Sequence, residues 1–242
     1  MNYKNKLSER ANFILNHGDC LNFLKRIPDN SVQLVISSPP YNIGQEYEKR
    51  ISLEEYLSFQ KKVITECVRI LKPTGSICWQ VGNYKEKREN IPLDIILYPI
   101  FKELNLKLKN RLIWHFEGGL GGNRRFYKRY ETILWFVKSD NYIFNLDPVR
   151  IPRIYKQKKK TGKLIGHQLG KNPGDVWDIP LVNNFHVEKT SHPCQYPVGL
   201  VERLVLALSN KGDIVLDPFL GSGTTAVASL LHNRKCIGVE KE

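Results

Sequence analysis

The stretch Val32-Gln33-Leu34-Val35-Ile36-Ser37-Ser38-Pro39-Pro40-Tyr41 decides how the rest of the chain is read. Its first six residues are mostly apolar and show no alternation. That is how a strand buried on both faces of a parallel sheet reads. Two prolines then stop it, since proline has no N–H to give a neighbouring strand. Ser38, Pro39, Pro40 and Tyr41 are thereby gathered at the carboxyl end of a strand. They bring a hydroxyl, a carbonyl held by a stiff ring, and an aromatic face, a set suited to gripping a flat base that carries an amino group. A proline-terminated strand with no further role is the plainer reading of the same residues.

A second punctuated stretch lies near the other end of the chain. Asp217-Pro218-Phe219-Leu220-Gly221-Ser222-Gly223-Thr224-Thr225 joins the apolar run Ile214 to Leu216 to a helix expected from Thr224 to Leu231. Glycine lets the backbone turn tightly and approach a ligand, and open α/β sheets bind ligands at the carboxyl ends of their strands. A Walker phosphate loop does not fit, because no lysine follows Gly223. One strand later, Gly238-Val239-Glu240 places an acid at a strand end, a position that suits the two hydroxyls of a ribose.

Between these anchors, helices are predicted over Leu53 to Leu71, Pro92 to Leu104 and Leu200 to Leu208. Strands are predicted at Phe13 to Leu15, Ser76 to Val81, Arg111 to Phe116, Thr132 to Val137 and Cys236 to Val239. The alternation predicts the α/β class, with a mainly parallel sheet covered by helices on both faces. Residues 1–242 read as a single domain. Periodicity lapses over 145–189, which reads as an inserted basic region.

Lysine and arginine number 37 against 24 acidic residues, a formal charge of +13, which suits a polyanion such as nucleic acid. A generally basic surface is the alternative. Two clusters carry the excess: Arg124, Arg125, Lys128 and Arg129, then Arg150, Arg153, Lys156, Lys158, Lys159, Lys160, Lys163 and Lys171. Such side chains neutralise phosphates and read guanine edges. The five cysteines form no Cys-x-x-Cys pair, so no metal is implied, and scattered thiols fit a reducing cytoplasm. No run has the length of a membrane span.

Taken together, the motifs resemble the DNA amino-methyltransferases that use S-adenosylmethionine. That family's catalytic motif is Asp, Asn or Ser followed by Pro-Pro-Tyr, and its cofactor motif resembles Asp217 to Thr225. The catalytic motif comes first here, with the long variable region between the two, as in the permuted beta class. Gly18-Asp19, Leu71 to Gly75, Arg129-Tyr130-Glu131-Thr132-Ile133 and His192-Pro193 also fall in family order. The resemblance implies a Rossmann-like methyltransferase fold and S-adenosyl-L-methionine as cofactor. It places Asp19, His192, Asp217, Phe219, Gly221, Ser222, Gly223, Thr224 and Glu240 around that cofactor. Phe219 would pack near the adenine, Asp19 would accept from its amino group, and Glu240 would hold the ribose. Tyr196 stands where relatives often have lysine, and the chain ends two residues after Glu240, where relatives usually continue into another helix.

The implied reaction is methylation of a flipped-out base in double-stranded DNA within a restriction–modification system, with a cognate restriction endonuclease as the further implied partner. Ser38 Oγ and the Pro39 carbonyl would accept from the exocyclic amino group, and Tyr41 would stack on the base. Serine before Pro-Pro-Tyr leans towards N4 of cytosine, with N6 of adenine as the alternative. An RNA methyltransferase and a catalytically silent nucleic-acid-binding protein are the more distant readings. Pro193-Cys194-Gln195 copies the nucleophile tripeptide of the C5-cytosine methyltransferases, but the motif order here is the reverse of theirs, so Cys194 reads as structural.

Overall fold

The structure is a computed structural model that describes residues 11–44, 50–87, 89–118, 124–153, 161 and 166–241. The elements run β1 (Phe13–His17), α1 (Cys20–Leu24), β2 (Val32–Ser37), α2 (Leu53–Ile70), β3 (Leu71–Val81), β4 (Asn83–Glu86) and β5 (Glu89–Pro92). They continue with α3 (Leu93–Glu103), β6 (Lys107–His115), β7 (Tyr130–Val137), β8 (Val176–Asp178), α4 (Val198–Leu208), β9 (Ile214–Asp217), α5 (Thr224–Leu231) and β10 (Lys235–Glu240).

Eight strands form one sheet in the order β1-β10-β9-β2-β3-β7-β6-β8. Neighbours pair in parallel except at β3–β7 and β7–β6, so the sheet is mainly parallel as expected. From β2 the chain order proceeds outward to β3, whereas from β9 it proceeds the other way to β10. The switch point of the sheet therefore lies between β2 and β9, where an open α/β sheet leaves a crevice for ligands. Ser38 follows β2 and Asp217 ends β9, so the two decisive motifs flank that crevice.

The continuous apolar character of β2 is explained by cores on both faces. Val35, Ile77, Trp79 and Phe136 pack with Leu24, Ile64, Leu97 and Phe101 beneath α1, α2 and α3. Leu34, Ile36, Cys78 and Trp135 pack with Leu204, Val205 and Ala228 beneath α4 and α5. Gln33, one of two polar residues of β2, is buried with its amide donating to the Thr74 carbonyl (2.8 Å) and accepting from Thr74 Oγ1 (3.1 Å).

Two details depart from the sequence reading. Leu71 already belongs to β3, and Lys72 to Gly75 lie within a register shift that carries the pairing from Val32↔Leu71 to Leu34↔Ser76. A small hairpin, β4–β5, precedes α3, so Pro92 caps that helix instead of lying in its first turn. Described residues within 145–189 are tied into the fold. Asn145 N donates to the Ala207 carbonyl (2.7 Å), Val149 and Trp177 enter the second core, and β8 extends the sheet beside β6. Among the described residues no helix is long and apolar enough to cross a membrane, and no cluster of His, Cys, Asp and Glu forms a metal site.

Candidate active site

A cleft of about 380 Å³ opens at the carboxyl ends of β2, β9 and β10. One wall is Ser38, Pro39, Pro40 and Tyr41; another is Pro218 to Ser222; Asp19 and Glu240 close one side and His192 another. Residues far apart in sequence thus meet at one site, because the crossovers of a parallel sheet return every strand to the same edge.

On the catalytic-motif side, Ser38 Oγ lies 3.2 Å from Tyr41 Oη, and the Tyr41 hydroxyl donates to Glu131 Oε2 at 3.0 Å. Gln80, at the end of β3, donates to the same carboxylate oxygen, and Lys128 donates to the other. Gly82 makes this cluster possible: a Cβ there would stand 2.8 Å from Lys128 Nζ, 2.9 Å from Tyr41 Cε2 and 3.0 Å from Glu131 Oε1. Burial, and then the neighbouring Glu131 carboxylate, push the Tyr41 phenol well above its ordinary range.

On the glycine-loop side, Phe219, Leu220, Gly221 and Ser222 line the cleft. Gly221 has φ +52°, and its N–H donates to Glu240 Oε2 at 2.6 Å. A Cβ on Gly221 would also stand 3.3 Å from the His192 ring. Phe219 packs edge-on against Phe59 and Trp79 while staying half-buried at the cleft wall. Asp19 caps α1, accepting from Asn22 N at 2.8 Å.

Asp217, expected among the cofactor contacts, lies beneath the loop and does not face the cleft. It is fully buried, and its carboxylate accepts from Ser37 Oγ (2.6 Å), Thr225 Oγ1 (2.6 Å), Tyr196 Oη (3.0 Å) and Phe219 N (3.1 Å). Burial raises its carboxyl above the usual range, and these donors oppose that rise. Gly223 and Thr224 also lie behind the cleft: Gly223 (φ +88°) turns the chain into α5, and Thr224 Oγ1 donates to the Tyr196 carbonyl (3.2 Å). Tyr196 also lines the cleft, and its hydroxyl braces Asp217.

Several cleft residues carried no motif. Tyr56 reads only as part of the α2 core face, yet it, Phe59 and Gln60 turn towards the cleft. Cys194, unlike these, was marked in the sequence by the Pro193-Cys194-Gln195 tripeptide; it is exposed at the cleft wall, its backbone tied to His192 Nδ1.

The basic candidates divide. Arg124 and Arg125 are exposed. Lys128 is drawn into the Glu131 cluster, Arg129 donates to the Gly118 carbonyl, and Arg150 pairs with Asp147 at 2.6 Å. Arg153 is half-buried against Gly166, and Lys171 is exposed. Lys156, Lys158, Lys159, Lys160 and Lys163 lie outside the described residues.

The model of the N6/N4 DNA methylase family matches residues 32–242. The chain belongs to this family. It is 50% identical over 232 residues to the Type II methyltransferase M.BglII of Bacillus subtilis, a match that covers 93% of this chain and 64% of that protein. It is 36% identical to the DNA adenine methyltransferase YhdJ of Escherichia coli (strain K12), over 93% of this chain and 76% of that protein. Among solved structures, the cytosine-N4-specific PvuII DNA methyltransferase superposes with a TM-score of 0.77 at 21% identity, covering 96% of this chain and 83% of that one. A Thermus thermophilus protein described as a DNA modification methylase, complexed with S-adenosyl-L-methionine, superposes with a TM-score of 0.67 at 27% identity, covering 93% and 86%. The family's methyltransferase fold, read from two motifs and their order, is the fold of this chain.

Proposed function

We propose that this chain transfers a methyl group from S-adenosylmethionine to the exocyclic amino nitrogen of a flipped-out base in double-stranded DNA, at N4 of cytosine. The observation that carries this reading is the meeting of Ser38 to Tyr41 with the Phe219–Ser222 loop across one cleft. The residues around the loop fit the cofactor. Gly221, in a left-handed conformation and without a side chain, leaves room for close approach; Phe219 offers a ring; Asp19 and Glu240 offer carboxylates to an adenine amino group and to ribose hydroxyls. When bound, the cofactor supplies an electrophilic methyl group.

The chain's own residues supply the rest. An exocyclic amino nitrogen is a weak nucleophile because its lone pair is spread into the ring. Ser38 Oγ and the Pro39 carbonyl accept its two hydrogens and draw it towards tetrahedral geometry. Proline holds its carbonyl in advance, so little reorganisation is needed at the moment of reaction. The Tyr41 ring stacks on the base, which must leave the duplex to expose its amino group. The exposed Arg124 and Arg125, with the basic stretch within 145–189 acting as the target-recognition region, neutralise backbone phosphates.

Serine at position 38 favours cytosine. The likeness to YhdJ, named as an adenine methyltransferase, supports N6 of adenine as a second reading. Transfer of labelled methyl to unmethylated genomic DNA, followed by nucleoside mass spectrometry, separates them. N4-methylcytosine is expected; N6-methyladenine would transfer the conclusion to the second reading. Absence of label in any deoxynucleoside would overturn both in favour of RNA or of silent binding.

A further inference from the structure

The Ser38 hydroxyl poses a problem that a carboxylate at the same position would not. A hydroxyl both donates and accepts. To hold an amino group it must accept, and its own proton must therefore be directed elsewhere. The structure supplies a place for that proton. Glu131, as a carboxylate, can only accept, and Gln80 and Lys128 donate to it from two sides. Tyr41 has a single hydroxyl proton, which it gives to Glu131 Oε2 at 3.0 Å. The Tyr41 oxygen is then left only as an acceptor towards Ser38. That fixes the sense of the 3.2 Å Ser38–Tyr41 contact, which distance alone leaves open: Ser38 donates and Tyr41 accepts. The Ser38 lone pairs are turned over to whatever enters the cleft.

We propose that Glu131 is a positioning residue which, acting through the Tyr41 hydroxyl, fixes Ser38 as a hydrogen-bond acceptor for the amino group of the target base. The inference rests on the methyl-transfer reading above and assigns a role to a residue that does not itself line the cleft. The cluster is built for permanence. Gln80 is 5% exposed, the Glu131 side chain is 16% exposed, and both stand on adjacent strands paired at Gln80↔Ile133 and Val81↔Thr132. The glycine at position 82 lets lysine, tyrosine and glutamate close around it. Separately, burial keeps the Tyr41 phenol protonated well beyond its ordinary range, so it remains a donor to Glu131 at working pH.

A loop anchor would use the same contacts, so the test must read hydrogen-bond polarity and not only rate. The probes are duplexes carrying the methylated site identified from genomic DNA, with the target base either in its amino form or replaced by its oxo counterpart (uracil for cytosine, hypoxanthine for adenine). The oxo base presents an acceptor where the amino base presents a donor. Wild type is expected to bind the amino duplex at least about tenfold more tightly than the oxo duplex, the worth of one well-made hydrogen bond. In Tyr41→Phe, which keeps the stacking ring, and in Glu131→Ala, which removes the acceptor of the Tyr41 proton, the Ser38 hydroxyl is free to turn. The preference is expected to fall about fivefold, the Pro39 carbonyl keeping the remainder because it can only accept, and single-turnover methyl transfer to fall about tenfold to a hundredfold. Cofactor affinity, measured by calorimetry, is expected to stay unchanged and reports that the fold is intact. Slower transfer with an unchanged amino-to-oxo preference in both variants would reduce Glu131 to a loop anchor and overturn the proposal. Failure of the wild type to methylate any DNA would instead overturn the functional reading on which it rests.

Discussion

At the scale of single residues, the site depends on positions where ordinary side chains do not fit. Gly221 combines φ +52° with an N–H held by Glu240 and a His192 ring 3.3 Å from where a Cβ would stand. A β-branched residue is strongly disfavoured in the left-handed region and here would also press on His192. Gly221→Val is expected to weaken S-adenosylmethionine binding at least about tenfold, a loss of roughly 1.4 kcal/mol, while the buried braces on Asp217 keep the protein folded. Calorimetric titration measures it, and wild-type affinity would remove this loop from the site. Much of the site was legible in the sequence because its groups are contiguous there: Ser38 to Tyr41 and Phe219 to Ser222 each announce themselves by prolines or glycines at a strand end. Asp217 and Glu131 were not legible. A carboxylate at a strand end reads as a ligand group, and only its burial against Tyr196 and Thr225 makes Asp217 a brace. Glu131 meets Tyr41 across 90 positions of chain, a contact that no local pattern encodes.

At the scale of elements, α2 is the piece that couples stability to the site. Its apolar periodicity made its existence plain, and Ser52 starts it with a reciprocal capping box: Ser52 Oγ accepts from Glu55 N (3.1 Å), and Glu55 Oε2 accepts from Ser52 N (3.0 Å). Tyr56, Phe59 and Gln60 follow within the next two turns and reach the cleft. Ser52→Ala is expected to cost about 1 kcal/mol of stability, as loss of such a cap does, and to weaken cofactor binding modestly by fraying the turn that carries those residues. Equilibrium denaturation alongside calorimetry tests both; an unchanged midpoint would mean that packing alone sets the start of α2. Elements that escaped the sequence reading did so for physical reasons. β8 has three residues, too few to show a period, and sits among prolines and glycines. β4 and β5 are short and largely polar, so the hairpin carries no hydrophobic signal. Conversely, Lys72 to Gly75 reads as a helix stop, but the helix has already ended at Ile70, and these residues lie in β3 within a register shift that depends on β2.

At the scale of the whole molecule, the apolar clusters on the sheet enclose ionisable groups that folding keeps neutral at alkaline pH. Burial pushes the Cys20 thiol up to about 12, and it raises Cys67, Cys78 and Cys236 as well. The phenols of Tyr41 and Tyr196 are raised in the same way. The sign follows from linkage. Folded pKa values above the unfolded ones mean that the native state holds more protons than the unfolded state at alkaline pH. Their contribution to stability is therefore complete below the unfolded thiol value, near 9.0, and is lost as pH rises beyond it. Each thiol can contribute a fall of up to about 1.4 kcal/mol per pH unit. Denaturant unfolding is expected to give a stability that these groups leave unchanged from neutral pH to about 8 and then drive down, before the phenols join near 10. Cys236→Ala, which removes one buried thiol beside Leu220 and Ala226, is expected to lower stability at neutral pH by opening space in that cluster and to make the alkaline decline shallower by one thiol's share. An alkaline slope equal to that of the wild type would show that Cys236 is not among the groups that drive it.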